Sequence, residues 1–213
     1  MTGGARIAGV VAMLALVAAV VRAEDGLTLY VDAGASFPAA PPEFPELWDT
    51  GWTAGAGVGL RVSAAWEVVT AAHYLRYGAD ADRMIEELLL AGPGGVLDIA
   101  AIDGRDMSSL SLLVETRFHG RDAGADWRPY LTFGAGFFHA STSDATVTPA
   151  DPGVEPVVVL GDSDGALAAS IGAGVLLRLT ASLSFVFDST YLIGFTEQSS
   201  TEALPLRIGL AFE

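Results

Sequence analysis

The residue types that could perform covalent chemistry meet in one short motif, His139-x-Ser141. A serine nucleophile needs a histidine as its base, and the imidazole in turn needs an acid that orients it. The two side chains are two residues apart, so in a strand they share one face. Asp144, Asp151 and Glu155 follow, at no spacing that singles out one of them as the acid. The motif permits a serine hydrolase, but a histidine at the rim of a sheet is the simpler interpretation.

Metal chemistry has less support. The chain has no cysteine, which excludes disulfides and thiolate metal sites. The segment 162–165 (Asp-Ser-Asp-Gly) is a fragment of a calcium loop that lacks the other ligands. His73 and His119 have no carboxylate at ligand spacing, and we interpret them as structural or rim residues. We therefore predict no cofactor, no resident metal and no catalytic residue.

The composition combines two properties that rarely occur together. The chain has 213 residues, 11 basic and 26 acidic side chains and a net charge of −15, yet its mean hydropathy is +0.44. The length suggests one domain, or at most two. The acidity argues against nucleic acid as a partner, because binding to phosphates needs a basic surface. Such a chain must separate its apolar residues from its charges.

The N-terminus has the layout of a secretory signal peptide. One arginine precedes the uncharged apolar run Ile7–Val21, and small or short residues at Val21 and Ala23 fit a cleavage site before Glu24. The run is shorter than the ~20 residues that a spanning helix needs. We predict a signal peptide at 1–23 and one domain at 24–213, with a chain that is exported.

Apolar residues then alternate with small or polar residues in eight segments. This period of two is typical of strands with one apolar face, and segments of about 10 residues can cross a bilayer when tilted. Long and short connections alternate between them, and an even number of strands with this alternation favours an all-β, eight-stranded antiparallel up-and-down transmembrane barrel. The segments are Leu27–Phe37, Trp52–Ala64, Trp66–Tyr77, Leu110–His119, Tyr130–Phe138, Ala169–Leu179, Leu183–Tyr191 and Leu204–Phe212. In the long connection 78–109 we expect a short helix, 82–90, capped by Asp82.

The face opposite the apolar one decides between two kinds of barrel. A soluble barrel would turn its apolar face inward, whereas a membrane barrel turns it to lipid. The opposite face is rich in glycine, which suits the crowded interior of an eight-stranded barrel better than a water-exposed surface. Five aromatic residues near strand ends are placed as in the girdles of membrane barrels; they are Trp52, Trp66, Tyr74, Trp127 and Tyr191.

The glycine-rich face also carries charges of both signs in equal number. Because an unpaired buried charge is expensive, we expect these side chains to form a salt-bridged network that closes the lumen. The predicted members are Asp32, Arg61, Glu67, Glu115, Arg117, Arg178, Asp188 and Arg207. Most of the remaining acids fall in the predicted long loops, where ordinary solvated surface or weak binding of divalent cations are the alternatives.

Two stretches resemble a known family. The run 128–137 (RPYLTFGAGF) is similar to the RPYxxxGxG strand of small outer membrane barrels of the outer membrane protein A and W type, and 172–184 is similar to a hairpin of the same proteins. The resemblance implies an eight-stranded barrel in the outer membrane of a Gram-negative bacterium, in contact with lipid and lipopolysaccharide. It also implies insertion by the barrel assembly machinery, helped by a C-terminal aromatic residue. Here that residue is Phe212, which is penultimate.

Three functions remain open at this point. The first is a non-enzymatic outer membrane barrel with a closed, salt-bridged lumen and a structural or surface-interaction role. The second is transport of small hydrophobic compounds through a lateral opening. The third is an enzyme, because His139-x-Ser141 is weakly similar to the His-x-Ser of the lipid A deacylases, which are also eight-stranded barrels.

Overall fold

The computed structural model describes residues 26–41, 44–91, 99–120, 125–195 and 200–213. The predicted signal peptide at 1–23 lies outside these residues. Within the described ranges, no helix is both long enough and apolar enough to span a membrane.

Strands dominate the described chain, as the alternating pattern predicts. Two helices, α1 (Phe44–Leu47) and α2 (Ala81–Ala91), lie in connections between them. In chain order the strands are β1 (Leu27–Ala40), β2 (Gly51–Arg61), β3 (Trp66–Tyr77), β4 (Ile99–Gly104), β5 (Met107–His119), β6 (Trp127–Thr142), β7 (Ala145–Pro149), β8 (Val157–Val159), β9 (Ser163–Arg178), β10 (Leu183–Phe195) and β11 (Ser200–Phe212).

Eight long strands form a closed barrel in the order β1-β11-β10-β9-β6-β5-β3-β2. Every pair in the barrel is antiparallel. β1 and β11 close it, with Leu29 opposite Phe212 and Ala35 opposite Leu206. The predicted eight-stranded antiparallel barrel is confirmed.

The two ends of the barrel differ. At one end, which we call the turn end, β2 joins β3 and β9 joins β10 through tight turns, closed by bonds from the N–H of Val62 to the carbonyl of Trp66 and from the N–H of Leu179 to the carbonyl of Leu183, both 2.9 Å. The opposite end, the loop end, carries the long connections after β3 and β6. This is the predicted alternation of short and long connections.

The long connections contain more structure than the sequence indicated. β4, β7 and β8 form a separate three-stranded sheet at the loop end, in segments that we predicted as loops. The helix expected at 82–90 is present as α2, but Asp82 is not its cap. Asp80 has that role, because its carboxylate accepts a hydrogen bond of 3.1 Å from the N–H of Arg83.

Neighbouring residues of a barrel strand have opposite environments. Leu112 is 52% exposed on the outer surface, whereas Leu113 is 2% exposed in the lumen. β6 and β9 alternate in the same way, with Phe133 and Ile171 outside and Thr132 and Ser170 inside. A barrel whose outer wall is apolar and whose interior holds most of its buried polar groups has the polarity of a membrane barrel.

Candidate functional site

Glycine makes room for large polar side chains in the lumen. A Cβ on Gly174 would lie 2.5 Å from the Tyr130 ring and 2.7 Å from Cβ of Asp188. A Cβ on Gly59 would overlap the Glu67 carboxylate. An eight-stranded barrel has an interior only wide enough for side chains, so glycines opposite these groups allow the interior to hold them.

Glu67 is the centre of the first part of the lumen. Its side chain is fully buried. The hydroxyl of Tyr30 lies 2.8 Å from both of its carboxylate oxygens, and Nε2 of His119 lies 3.1 Å from Oε2. The carboxylate therefore has partners from β1 and β5, and it ties these strands to β3.

Arg117 occupies the middle of the lumen between two aromatic rings. Its guanidinium carbon lies 4.3 Å from the centre of the Tyr30 ring and 4.9 Å from that of Tyr130, close enough for cation–π attraction. Its Nη2 is 3.7 Å from Oε2 of Glu115, and the Ser170 hydroxyl donates to the other oxygen of Glu115 at 3.3 Å. The cation is held by ring faces as well as by a carboxylate.

Arg207 connects the strands that close the barrel. Its Nε donates to Oδ1 of Asp188 at 2.8 Å, and its Nη2 donates to the Thr190 hydroxyl at 2.8 Å. The Tyr130 hydroxyl donates to the other oxygen of Asp188 at 3.1 Å. Nε of Arg207 is also 4.0 Å from Oδ1 of Asp32 on β1.

Asp32 completes a path across the lumen, because its other oxygen lies 3.5 Å from Nε2 of His73. We call this connected set the lumen network. It runs from one histidine to the other through side chains of six strands. Its members are His119, Glu67, Tyr30, Arg117, Glu115, Tyr130, Asp188, Arg207, Asp32 and His73.

Six of the eight charged residues that we predicted for the lumen meet in the network, and two do not. Asp32, Glu67, Glu115, Asp188, Arg117 and Arg207 meet in the network, but Arg61 and Arg178 lie at the turn end and are partly exposed. Arg61 is 3.6 Å from the side chain of Glu213, and Arg128, a buried residue that we did not predict, pairs with the same carboxylate. The strands end near Arg61 and Arg178, so water reaches these two side chains, whereas Arg128 is buried beside Glu213.

Two histidines that we did not predict as members belong to the lumen network. His73 and His119 are 4% exposed, each beside a network carboxylate, so they are not rim residues. A linear search for ligand spacing missed them because their partners are 41 and 52 residues away in sequence. Parity was the available signal, since His73 follows Glu67 by six residues and His119 follows Glu115 by four, an even number in each case.

The loop-end half of the lumen is mainly apolar, although Ser36, Thr53 and Ser109 are also buried there. Trp48, Leu75, Tyr77, Met107 and Phe138 belong to one buried cluster there, together with Leu113, Ala168, Leu192 and Ala203. Leu47 and Met84, from the two helices, pack against it. We call this set the apolar plug. The lumen is therefore filled by two layers of different chemistry, of which the sequence indicated only the polar one.

The five predicted girdle residues all face outward. Trp52 and Tyr74 lie together toward the loop end, with ring centres 5.3 Å apart. Trp66 begins β3 at the turn end, where its ring centre is 4.9 Å from that of Phe118, and Trp127 begins β6 at the same end. Tyr191 is partly exposed, and its hydroxyl donates to Glu202.

His139 and Ser141 of the candidate hydrolase motif lie on the outer side of β6 at the loop end. His139 is exposed on the outer surface of β6, opposite Leu110 on β5 and Gly165 on β9. In the described part of the chain, no hydrogen bond joins the two side chains. The nearest acid in sequence, Asp144, accepts a hydrogen bond of 2.8 Å from the N–H of Gly161. Its carboxylate therefore stabilises the connection between β6 and β9.

The calcium-loop fragment is also part of the loop architecture. The carbonyl of Asp162 accepts from the N–H of Thr142 at 2.8 Å, and its carboxylate accepts from the N–H of Ser163 at 2.7 Å. Among the residues that the structure describes, no three or more His, Cys, Asp or Glu side chains are grouped to hold a metal ion.

Comparison with known proteins supports the fold alone. No protein-family model matches the sequence, and no curated protein matches it. Neisserial surface protein A is similar in structure, with a TM-score of 0.57 and 15% identity over 88% of this chain and 97% of that one. A major outer membrane protein from Thermus thermophilus has a TM-score of 0.52, with 14% identity over 88% of this chain and 99% of the other.

A third similar structure is that of Ail, the attachment invasion locus protein of Yersinia pestis. Its TM-score is 0.50, with 14% identity over 89% of this chain and 100% of that protein. Identities this low carry no information on ligands. The chain thus has the closed, eight-stranded fold found in small outer membrane β-barrel proteins.

Proposed function

We propose that this protein is an integral outer membrane barrel with a closed lumen, and that it acts through its external surface and not as a pore or an enzyme. The observation that carries the proposal is the reversal of polarity across the wall. Outward side chains such as Leu112 are half exposed and apolar, while Glu67 and Arg117 are buried inside. Such a surface has no stable arrangement in water, but it suits a bilayer.

The side chains that occupy the lumen support the proposal that the barrel is closed to ions. The lumen network occupies the turn-end half with charged and polar side chains joined by hydrogen bonds, ion pairs and cation–π contacts, and the apolar plug occupies the other half. A path for ions would have to break charge pairs in a medium of low dielectric constant, which is costly. In this proposal the network is a structural brace, and the long connections of the loop end are the part that meets partners.

The proposed binding partners of the barrel follow from which side chains lie on its outer surface and in its connections. Outward aromatic and aliphatic side chains contact lipid and lipopolysaccharide. Phe212, exposed on the outer surface of the last strand, is offered to the barrel assembly machinery. The acidic connections are a weak binding surface for divalent cations. Export by the signal peptide at 1–23 brings the chain to this compartment.

The test combines cell fractionation with electrophysiology. We expect a heat-modifiable band in Gram-negative outer membrane fractions, with a mature N-terminus at Glu24, and no porin-level conductance when the purified protein is inserted in planar bilayers. A protein that stayed soluble in the periplasm would overturn the location. Conductance at porin level would overturn the closed lumen.

A groove in the outer wall favours one alternative, transport of small hydrophobic compounds. It has a volume of about 480 Å³ and is lined by Leu110, Leu112, Phe137, His139, Gly165 and Leu167. Phe138 belongs both to this groove and to the apolar plug, so this residue connects an apolar site on the outer wall with the apolar layer of the lumen. Uptake of a small apolar dye by liposomes that contain the protein, increased by Phe138→Ala, would favour this function.

The enzymatic alternative has a direct test. Because His139 faces outward and no acid in the described ranges forms a hydrogen bond with it, we expect no release of fatty acid from lipopolysaccharide and no effect of Ser141→Ala on any lipid A product. Mass spectrometry of lipid A from cells with either variant measures both. A deacylated product that disappears with Ser141→Ala and with His139→Ala would support the enzymatic function and contradict our expectation.

A further inference from the structure

The sheet at the loop end is held firmly on the barrel. β4 leads into β5 and β7 follows β6. The N–H of Ser143 donates to the carbonyl of Asp106 at 2.8 Å, and the N–H of Asp106 donates to the Ser143 hydroxyl at 2.9 Å. Arg76 of the barrel wall binds the Asp106 carboxylate at 2.5 Å. The sheet is therefore a fixed platform.

β8 is an edge strand of this platform. Its three residues pair with β7, Val157 opposite Val147 and Val159 opposite Ala145. Among the described strands, β8 has a neighbour on that side only. The backbone groups of its other side are open to a further strand, a situation that native proteins usually avoid or use for binding.

The side chains of this edge are apolar on both faces. Val158 is 58% exposed and Leu160 is 74% exposed, and Val157 and Val159 are exposed as well. We call Val157–Leu160 the valine edge. Four consecutive exposed aliphatic residues beside an open strand edge indicate a docking surface, because the proline and charges that protect edges lie only at its flanks, at Pro156, Glu155 and Asp162.

The charges around the valine edge indicate which kind of binding partner it favours. Asp151, Glu155 and Asp162 flank it and are exposed, and the segment 143–165 contains no arginine, lysine or histidine. An anionic rim repels lipid phosphates, nucleic acid and a second copy of this acidic chain. It attracts a polypeptide with basic residues.

From these observations we infer that the valine edge binds an extended polypeptide segment with alternating basic and apolar residues, which adds to β8 as a fourth strand of the sheet. Backbone hydrogen bonds would supply affinity, apolar side chains would cover the valines, and basic side chains would face the acidic rim. This inference rests on the proposed surface-interaction role and names the chemistry of the partner.

The experiment uses the whole protein in lipid nanodiscs. The probe is a fluorescent peptide of alternating arginine and valine, and the comparison peptide alternates glutamate and valine. We expect saturable binding of the basic peptide that weakens as salt is raised, and no binding of the acidic one. Isotope-edited infrared spectra of the bound peptide should show strand structure.

Variants distinguish specific binding at the valine edge from nonspecific adsorption of the peptide. We expect the double variant Val157→Thr/Val159→Thr, which keeps β propensity, to weaken binding about tenfold. Val62→Thr, an exposed valine at the turn end, is the matched control and should leave binding unchanged. Equal binding to the double variant, or to the acidic peptide, would overturn the inference, and so would a dimer that the double variant dissociates.

The outcome is independent of the proposed location. Binding in nanodiscs tests the valine edge, whereas fractionation and conductance test the membrane barrel. If the peptide fails to bind while the heat-modifiable band is present, the inference fails and the proposed function stands.

Discussion

Gly174→Val is expected to prevent the barrel from reaching its folded form. The new side chain would overlap the Tyr130 ring and Asp188, whose Cβ lies 2.7 Å from the position that the first added carbon would take. Tyr130 cannot retreat without losing its bond to Asp188 and its contact with Arg117. Overpacking and a broken buried network each cost about 3 kcal/mol, which is a large part of the stability of a small domain.

The measurement for Gly174→Val is refolding into liposomes, followed by the heat-modifiable shift and by urea titration. Gly78→Val is the control, because no atom lies within 4 Å of the Cβ position there and we expect a change within about 0.5 kcal/mol. A folded Gly174→Val protein with unchanged urea midpoint would show that the lumen is not packed as described.

Arg207→Met is the second change with a large expected effect. It removes the cation that lies 2.8 Å from Asp188 and 4.0 Å from Asp32, and it leaves both carboxylates buried without it. Breaking a buried pair in this way costs about 3–5 kcal/mol, whereas replacing both partners with apolar residues is often nearly neutral. We therefore expect Arg207→Met to destabilise strongly and Arg207→Met/Asp188→Leu to recover much of the loss.

Urea titrations of the wild type, both single variants and the double variant complete this cycle. The matched control is Arg76→Met, which removes an arginine from an exposed pair with Asp106. Exposed pairs contribute about 0–1 kcal/mol. Equal effects of Arg207→Met and Arg76→Met would contradict the interpretation of the lumen network as a brace.

The barrel could be predicted from sequence because period two is a local property. Leu112 and Leu113 differ in exposure only through parity, and parity is visible in the sequence. The even number of strands and the alternating connection lengths then leave few closed arrangements. The strands β4, β7 and β8 could not be predicted because each is short, and because the pairing of β4 with β7 joins two connections that are far apart in sequence.

The lumen network was only partly predictable for a related reason. Parity placed Glu67 and His119 inside, but strand tilt and register decide which inward side chains meet, and these come from pairing along whole strands. The Asp32–His73 contact therefore could not be read from spacing. The apolar plug could not be predicted from parity either. Leu75 and Phe138 share parity with the charged residues of their own strands, so parity alone does not separate the apolar layer from the charged one.

The position of Arg207 has a consequence for the order in which the chain assembles. Hairpins such as β2–β3 join residues near in sequence, whereas β1 and β11 must find each other from opposite ends of the chain, which is the slowest kind of contact to form. Arg207 lies opposite Gly34 across this seam and reaches toward Asp32 on β1 and Asp188 on β10. A seam that closes one residue out of step would turn the whole of one strand over and direct this guanidinium into hydrocarbon, at a cost of about 2–4 kcal/mol near the bilayer centre. One arginine thus disfavours an incorrect final closure.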